Sequence, residues 1–200
     1  MSYLIDNRIL FDTGSDHDVL MNNLDVLKVS LSQIESIVIS HEHWDHIDGM
    51  WGVLKKRPGI KVFVCKDVSV EFKEKILAHN AVLIEVFDPV EINKNIYSTG
   101  QIMGLYKDAP VPEQALLVKQ RNKYSLYSGC AHAGIVETVN IVNDRFSIIL
   151  ESVAGGFHLK DEPLQVYRTK AMCLKNLGIK YVDPRHCTSS PARLEMKAVF

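Results

Sequence analysis

The stretch that decides the interpretation of this chain is Ser40-His41-Glu42-His43-Trp44-Asp45-His46, directly after the apolar run Ile37-Val38-Ile39. Its last six residues contain three histidines and two carboxylates. An apolar strand followed at once by such side chains is typical of a binding site at the edge of a sheet. Neutral imidazole and carboxylate groups suit zinc, iron and manganese. The stretch therefore predicts a bound metal ion.

The composition is that of an ordinary globular protein. The chain has 200 residues, of which 46% are hydrophobic and 24% charged, and its net charge is -1 from 23 basic and 24 acidic residues. This balance predicts no nucleic-acid partner, and the apolar runs fall short of the ~20 residues that a membrane span needs. The first residues do not resemble a signal peptide, and the four cysteines lack paired CxxC spacing. We therefore expect one domain over residues 1–200, reduced thiols and a cytoplasmic location.

Short apolar runs alternate with amphipathic stretches, which predicts an α/β fold. Strands are predicted at 8–11, 36–40, 61–64, 82–86, 114–119, 124–127, 146–150 and 179–182. Helices are predicted at 16–27, 47–56, 67–79, 134–142 and 163–176. Residues 87–112 carry several turn signals and are expected to be the least regular part of the chain.

Six of the eight histidines follow predicted strands. They are His41, His43, His46, His132, His158 and His186. Residues just beyond the ends of strands converge on one edge of a parallel or mixed sheet. His17 and His79 lie on predicted helices among polar residues and are interpreted as surface histidines. The other six predict one shared metal site.

The spacing within the opening stretch is suited to two ions. His41 and His43 are one residue apart, so they project to the same side of an extended chain, whereas Asp45 and His46 face another direction. One loop can therefore offer two ligands to each of two metals. Paired metals roughly 3.5–4 Å apart can bridge a hydroxide and stabilise both reacting oxygens.

These residues carry a family resemblance. His41-Glu42-His43-Trp44-Asp45-His46 resembles the H-x-H-x-D-H motif of the metallo-β-lactamase fold hydrolases, and Asp12-Thr13-Gly14 resembles their early D-T-G turn. Three later segments are similar to one branch, the dihydropterin ribofuranosylaminobenzene phosphate synthase-like proteins described from methanopterin biosynthesis. They are Ser128-Gly129-Cys130-Ala131-His132-Ala133-Gly134, Gly155-Gly156-Phe157-His158-Leu159 and His186-Cys187-Thr188.

The resemblance implies an αβ/βα sandwich with a dinuclear site on one edge. His41, His43 and His132 would bind one ion, and Asp45, His46 and His186 the other. Asp12 would accept a hydrogen bond from a ligand histidine and fix its orientation. Asp45 would also orient or deprotonate the attacking water. One or two Zn²⁺ ions are expected, with Mn²⁺ or Fe²⁺ as alternatives.

The chain departs from the family pattern at two positions, Cys130 and Glu113, and His158 has two possible roles. A bridging aspartate is usual where this chain has Cys130, which is interpreted either as a buried structural cysteine or as a thiolate ligand. Glu113 stands where a ligand histidine is usual and is a candidate oxygen ligand. His158 is interpreted either as a metal-binding residue or as an acid that protonates a leaving group, and the second role is preferred.

The functional hypothesis is a metal-dependent hydrolase, or a related transferase, that uses a metal-bound hydroxide on a small, phosphorylated or pterin-like metabolite. The alternatives are a non-catalytic, metal-organised ligand-binding protein and a di-iron redox protein. A small molecule is the expected partner. The sequence makes no prediction about the oligomeric state.

Overall fold

The computed structural model describes residues 1–160 and 162–200. The chain divides into two compact units, Met1–Phe87 and Asp88–Phe200, which are called unit 1 and unit 2 below. The interpretation of residues 1–200 as one domain stays a prediction.

Unit 1 is a five-stranded sheet with helices. Its strands are β1 (Tyr3–Ile5), β2 (Ile9–Phe11), β3 (Ser36–Val38), β4 (Lys61–Cys65) and β5 (Val82–Val86). Its helices are α1 (His17–Val26), α2 (Trp44–Ile47), α3 (Met50–Lys56) and α4 (Val70–Ala78), and Leu31–Gln33 is a 3-10 helix. The strand order is β1-β2-β3-β4-β5, with β2 to β5 parallel and β1 antiparallel to β2.

The sequence of unit 1 explains these elements. The centre of β3 is fully buried, as expected for a strand covered on both faces. Leu20 and Leu24 of α1 lie one turn apart and pack into the same apolar core. Each of α1 and α4 begins at a residue that accepts a hydrogen bond from the first turn, Asp16 from Val19 and Ser69 from Phe72. The carboxyl end of β3 is thus held rigidly where the histidine stretch begins.

In its described residues, 88–160 and 162–200, unit 2 contains a six-stranded sheet, a separate hairpin and three helices. Its strands are β6 (Val90–Asn93), β7 (Ile96–Ser98), β8 (Ile102–Tyr106), β9 (Ala109–Glu113), β10 (Leu116–Gln120), β11 (Lys123–Ser128), β12 (Ser152–Gly156) and β13 (Tyr181–Arg185). Its helices are α5 (Ile135–Phe146), α6 (Leu164–Asn176) and α7 (Ser190–Val199). The sheet order is β13-β12-β11-β10-β7-β6, and β8 pairs with β9.

The three strands that precede His132, His158 and His186 are neighbours in unit 2. Strands β11, β12 and β13 run parallel, so their carboxyl ends lie at the same edge. Gly155 and Gly156 let β12 approach its neighbours, because a Cβ at Gly155 would lie 2.0 Å from the Ser128 carbonyl oxygen. This glycine pair therefore serves close backbone packing.

The strand predicted at 146–150 is wrong. Helix α5 continues to Phe146 and ends at Ser147, whose backbone is left-handed, and the strand is Ser152–Gly156. The apolar run at 146–150 resembled a strand, but Phe146, Ile148 and Leu150 pack into the core of unit 2 from the end of the helix and the connection that follows. The β12 sequence contains two glycines, so its propensity for a strand was weak.

The prediction that residues 87–112 are the least regular part of the chain is also wrong. This segment contains four strands. The turn signal at residues 93–95 connects β6 and β7, with Asn95 left-handed, and the left-handed residues Lys107 and Asp108 connect β8 and β9. Two prolines lie within β9, whose only partner in the described sheets is β8, so the missing N–H groups are tolerated at its free edge.

Three further differences concern helices and one concerns a strand. The helix predicted from residue 47 begins at Trp44 and is divided into α2 and α3. Strand β1 and helix α7 were not predicted. Within residues 1–160 and 162–200, the helices are all too short or too polar to cross a lipid bilayer.

Candidate metal-binding residues

The histidine stretch of unit 1 forms a tight turn at the carboxyl end of β3. Ser40, His41 and His46 are fully buried, and His43 lies immediately before α2. The His41 Nε2 atom is 3.0 Å from His43 Nδ1, and the rings of His41 and His46 are 4.1 Å apart between centroids. The Asp45 carboxylate is 3.6 Å from His46 Nε2. The four ligands predicted from this stretch therefore lie together.

Asp12 fixes the orientation of this cluster. It follows β2 in a left-handed conformation, with φ of 57°, and is fully buried. Its Oδ2 atom accepts hydrogen bonds from His46 Nδ1 at 2.6 Å and from Ser40 Oγ at 2.8 Å, and its Oδ1 atom accepts the Ser40 N–H at 2.7 Å. The hydrogen bond predicted between Asp12 and a ligand histidine is present.

One carboxylate thereby sets the tautomers of two histidines. An ionised carboxylate can only accept, so the proton of His46 lies on Nδ1 and its lone pair on Nε2. The Ser40 hydroxyl donates to Asp12, so at 2.8 Å it must accept the proton of His41 Nδ1, which leaves the lone pair on His41 Nε2. This is the arrangement in which outer carboxylates prepare imidazoles for a metal.

The imidazole of His46 in unit 1 has a shifted pKa. Burial lowers the pKa of its imidazole, but the charge and hydrogen bond of Asp12, together with the charge of Asp45, outweigh burial and raise that pKa above its ordinary value. In the absence of a metal, this imidazole therefore retains a proton more readily than an exposed histidine does.

Glu42 was not singled out as a functional residue, but the structure gives it a clear role. Its two carboxylate oxygens accept hydrogen bonds from the backbone N–H of Ser69, at 2.7 Å, and from the Ser69 hydroxyl. Ser69 is the residue that caps α4. The histidine stretch is thereby tied to the start of a helix, which no local sequence signal indicates.

In unit 2, Glu113 organises the loop that carries His132. Its Oε1 atom accepts the backbone N–H groups of Cys130 and Ala131, and its Oε2 atom accepts the N–H of His132 at 2.7 Å and faces His132 Nδ1 at 3.1 Å. Both oxygens are thus engaged by the loop. Glu113 therefore positions a histidine, and this geometry disfavours its predicted role as a metal ligand.

His158 lies beside His132, with 4.9 Å between the ring centroids. Tyr106 of β8 contacts both rings edge-on, at 5.8 Å for His132 and 5.7 Å for His158. A Cβ at Gly104 would lie 2.5 Å from the His132 backbone, so only glycine allows β8 to pack this closely. The β8–β9 hairpin thus covers the His132 loop, and Tyr106 is a site residue that sequence analysis missed.

The loops after β12 and β13 bring His158 and Cys187 together. The backbone N–H of His158 donates to Cys187 Sγ at 3.3 Å. Hydrogen bonds from the Cys130 thiol and from His158 lower the pKa of Cys187 to about 4, against the opposing effect of burial. Its hydrogen bond with Cys187 is also the largest cause that raises the pKa of His158. His158 is accordingly suited to hold a proton.

Three residues of unit 2 turn sharply after their strands. Ala131, His158 and His186 have φ of 56°, 49° and 49°, which is unusual for residues other than glycine. The carbonyl of His186 accepts a hydrogen bond from Arg193 at 3.4 Å. Such strained positions are common at functional sites. The loops after β11, β12 and β13 are therefore built to hold particular side chains.

The residues of each unit fit a metal ion by the chemistry of their donors. Unit 1 offers three imidazoles and one carboxylate, two of the imidazoles having tautomers set by Asp12. Unit 2 offers imidazole and sulfur atoms, since ligand atoms of Cys130, His132 and His158 lie within 4.8 Å of one another. Nitrogen, oxygen and sulfur donors of this kind suit zinc and related ions.

The family follows from comparison with known proteins. Residues 1–112, more than half of the chain, match the family model described as the metallo-beta-lactamase superfamily. The chain belongs to the metallo-β-lactamase superfamily. Its members generally bind metal ions, in agreement with the histidine and carboxylate groups described above.

Two relatives come from Methanocaldococcus jannaschii. One is 7,8-dihydropterin-6-methyl-4-(beta-D-ribofuranosyl)-aminobenzene-5'-phosphate synthase, with 27% identity over 94% of this chain and 78% of the relative. The other is an uncharacterized protein, with 28% identity over 92% of this chain and 80% of the relative. The first relative confirms the branch resemblance that the later motifs indicated.

Solved structures confirm the fold class, the α/β metallo-β-lactamase sandwich. Tm1679, described as a metal-dependent hydrolase of the beta-lactamase superfamily, superposes with a TM-score of 0.80 and 25% identity over 100% of this chain and 85% of its own. YhfI from Bacillus subtilis has a TM-score of 0.67 and 15% identity over 96% of this chain and 80% of its own, which supports the fold alone.

Proposed function

We propose that this protein is a metal-dependent hydrolase, or a related transferase, that acts on a small phosphorylated or pterin-like metabolite. The observation that carries the proposal is the buried cluster of His41, His43, Asp45 and His46, in which Asp12 directs two imidazole lone pairs. A structural histidine cluster has no need of this arrangement, because directed lone pairs serve a bound cation.

The proposed ligands are the six predicted from the sequence. They are His41, His43, Asp45, His46, His132 and His186. Zn²⁺ is the proposed ion, in one or two copies. When bound, such an ion supplies Lewis-acid activation of water and of the substrate oxygen.

Two side chains of the chain itself are proposed to move protons. Asp45 is only partly buried, with 30% of its side chain exposed, and its carboxylate is proposed to orient a water molecule and to take its proton. His158, whose pKa is raised, is proposed to donate a proton to the leaving group. The hydrogen bond with Cys187 raises the pKa of His158 and so keeps the imidazole protonated before the leaving group departs.

The substrate class rests on similarity. The synthase of M. jannaschii is named for a ribofuranosyl-aminobenzene phosphate linked to a dihydropterin, and its 27% identity extends over most of this chain. The similarity to Tm1679 supports hydrolysis instead. Transfer and hydrolysis differ in whether water or a second metabolite attacks, so both activities are candidates for the same residues.

The test is metal-dependent turnover. Zinc-loaded protein is assayed with nitrophenyl phosphate and carboxylate esters, and with a phosphorylated ribosyl-aminobenzene together with a dihydropterin. We expect turnover of at least one substrate, its loss after chelation, and its loss in His43→Ala but not in His79→Ala. Full activity of His43→Ala, or activity that survives chelation, would contradict the proposal.

A further inference from the structure

Trp44 is an exposed aromatic residue within the histidine stretch. It lies between His43 and Asp45, two of the proposed metal ligands, and 64% of its surface is exposed. Consecutive Cα atoms are about 3.8 Å apart, so the indole is attached to the chain one residue away from each of these ligands. A molecule that contacts the exposed ring is therefore brought close to the proposed metal ligands.

The fold of unit 1 does not require a tryptophan at this position. Trp44 is the first residue of α2, a helix of four residues whose buried residues are His46 and Ile47. Tryptophan has only a moderate helix propensity, and an indole that stays largely in water contributes little hydrophobic stabilisation. A role in binding accounts for the exposed ring better than a role in folding does.

The other tryptophan of the chain has a different environment. Trp51 of α3 packs edge-on against Phe72, with 5.8 Å between the ring centroids, and Lys75 Nζ lies 3.8 Å from the centroid of its ring. Both partners belong to α4, so Trp51 connects two helices of unit 1. Trp51 is thus a structural residue, and Trp44 is the tryptophan that presents its ring to a ligand.

The backbone around Trp44 is fixed by hydrogen bonds. The N–H of Asp48 donates to the Trp44 carbonyl at 3.0 Å, and the N–H of His46 donates to the His43 carbonyl at 2.9 Å. On the other side, the Glu42 carboxylate accepts the N–H and the hydroxyl of Ser69. A ring on a fixed backbone is preorganised, so a ligand that contacts it pays little conformational entropy.

We propose that Trp44 determines substrate specificity by stacking on a planar heteroaromatic ring of the pterin type. Aromatic rings attract one another in offset-stacked and edge-to-face arrangements, beyond the effect of the area that they bury. A ring held on Trp44 brings the rest of the same small molecule to Asp45 and the neighbouring histidines. This inference rests on the proposed function, because it names the substrate class of the same site and the residue that recognises it.

The test is isothermal titration calorimetry of the full zinc-loaded chain with 7,8-dihydropterin. In Trp44→Ala, we expect the Kd of dihydropterin to rise about 10-fold. Trp44→Phe keeps an aromatic ring and should retain most of the affinity, whereas Trp44→Leu keeps only apolar surface and should bind as weakly as Trp44→Ala. Zinc content should be equal in all these proteins.

The matched control is Tyr181→Ala. Tyr181 is also 64% exposed, but it lies at the start of β13, at the opposite end of that strand from His186. Tyr181→Ala should bind dihydropterin as tightly as the wild type does. An equal loss of affinity in Tyr181→Ala and Trp44→Ala would overturn the assignment to Trp44.

The other outcomes separate the inference from the proposed function. Equal dihydropterin affinity in the wild type and Trp44→Ala, or a wild-type chain that does not bind dihydropterin, overturns the inference. Metal-dependent turnover of the nitrophenyl substrates then still decides the proposed function. Loss of zinc from Trp44→Ala also overturns the inference, because the residue would then support the metal ligands and not the substrate. If Trp44→Ala fails to fold, equal affinities of Trp44→Phe and Trp44→Leu overturn the stacking role, and a clearly tighter Trp44→Phe supports it.

Discussion

At the scale of single residues, Asp12 has the largest influence on the proposed metal ligands of unit 1. It directs the lone pair of His46 through a direct hydrogen bond and that of His41 through the Ser40 hydroxyl. Because the carboxylate also raises the pKa of His46 against the effect of burial, it determines the pH at which protons compete with a metal.

The Asp12→Asn variant tests this role. Asparagine tolerates the left-handed backbone at this position, but it removes the charge. We expect zinc affinity at neutral pH to fall by about 10–100-fold, as for other outer partners of metal ligands. The pKa of His46 should also fall, so the loss of binding on acidification should begin at a lower pH than in the wild type.

Zinc affinity is measured by competition with a chromophoric chelator over about pH 5 to 8, the range in which histidine titrates. The control is Asp25→Asn, because Asp25 is an exposed residue of α1. An Asp12→Asn variant with wild-type affinity and an unchanged pH midpoint would show that Asp12 does not prepare the histidines.

The contact of Asp12 with a ligand histidine could be predicted, because the resemblance of Asp12-Thr13-Gly14 to the family's D-T-G turn implies it. The contacts of Glu42 and Tyr106 could not, since each depends on a partner distant in sequence: Glu42 on Ser69, and Tyr106 on His132. The position of Glu42 between two histidines gives no indication in the sequence that its carboxylate binds the capping residue of a distant helix. The residue types of the site were therefore predictable, whereas the supports of the loops were not.

At the scale of elements, the start of α4 is a support for the histidine stretch. Ser69 caps the helix by accepting from Phe72, and it donates to Glu42 with its hydroxyl. The Ser69→Ala variant should lower the free energy of unfolding by about 1 kcal/mol through loss of the cap. It should also weaken zinc binding, because the Glu42 carboxylate loses one of its two donors.

Asp16→Ala is the matched control for this variant. It removes the equivalent cap of α1 and should cost a similar free energy of unfolding, but Asp16 has no hydrogen bond to Glu42 among those described. Urea unfolding of the metal-free proteins gives the stabilities, and chelator competition gives the affinities. Equal zinc affinity in Ser69→Ala and Asp16→Ala would contradict the prediction, because it would mean that the contact between Ser69 and Glu42 does not support metal binding.

The close approach of β11 and β12 gives a second prediction at this scale. In Gly155→Ala, the new Cβ would meet the Ser128 carbonyl oxygen at 2.0 Å, and φ is +114°. We expect a loss of several kcal/mol in the free energy of unfolding, well above the roughly 1 kcal/mol of an average substitution. The control is Gly59→Ala, which has φ of +81° with no atom within 4 Å of the new Cβ.

Gly59→Ala should cost only about 1–2 kcal/mol, the penalty for a left-handed residue with a side chain. Similar losses for the two variants, measured by urea unfolding, would mean that backbone strain and not the strand contact determines the cost.

The elements that sequence analysis placed wrongly share a physical cause. Strand β12 contains Gly155 and Gly156 because of its close packing, so its residues have weak strand propensity, whereas the apolar run at 146–150 resembled a strand. In residues 87–112, turn-type residues were interpreted as irregular structure, although residues 93–95 connect the two strands of a hairpin and Pro110 and Pro112 lie within β9. Long periodic elements such as α1 and α5 were predictable, because their apolar faces are set by local spacing.

At the scale of the whole molecule, membership of the metallo-β-lactamase superfamily and the directed imidazoles support the central proposal, which is that the chain binds a catalytic metal through the histidine stretch that follows β3. The fold class could be predicted from the order of strands and helices and from the H-x-H-x-D-H motif. The metal and the substrate could not, because histidine and aspartate ligands are shared by several ions and several reactions.

A measurement of metal content tests that proposal most directly. Wild-type protein, His43→Ala and His79→Ala are purified in parallel, equilibrated with Zn²⁺, freed of loose metal and analysed by inductively coupled plasma mass spectrometry. The account predicts one or two zinc ions per chain in the wild type and in His79→Ala, and loss of at least one of them in His43→Ala. Zinc content in His43→Ala equal to that of the wild type, or a wild-type chain that retains no zinc, would contradict it.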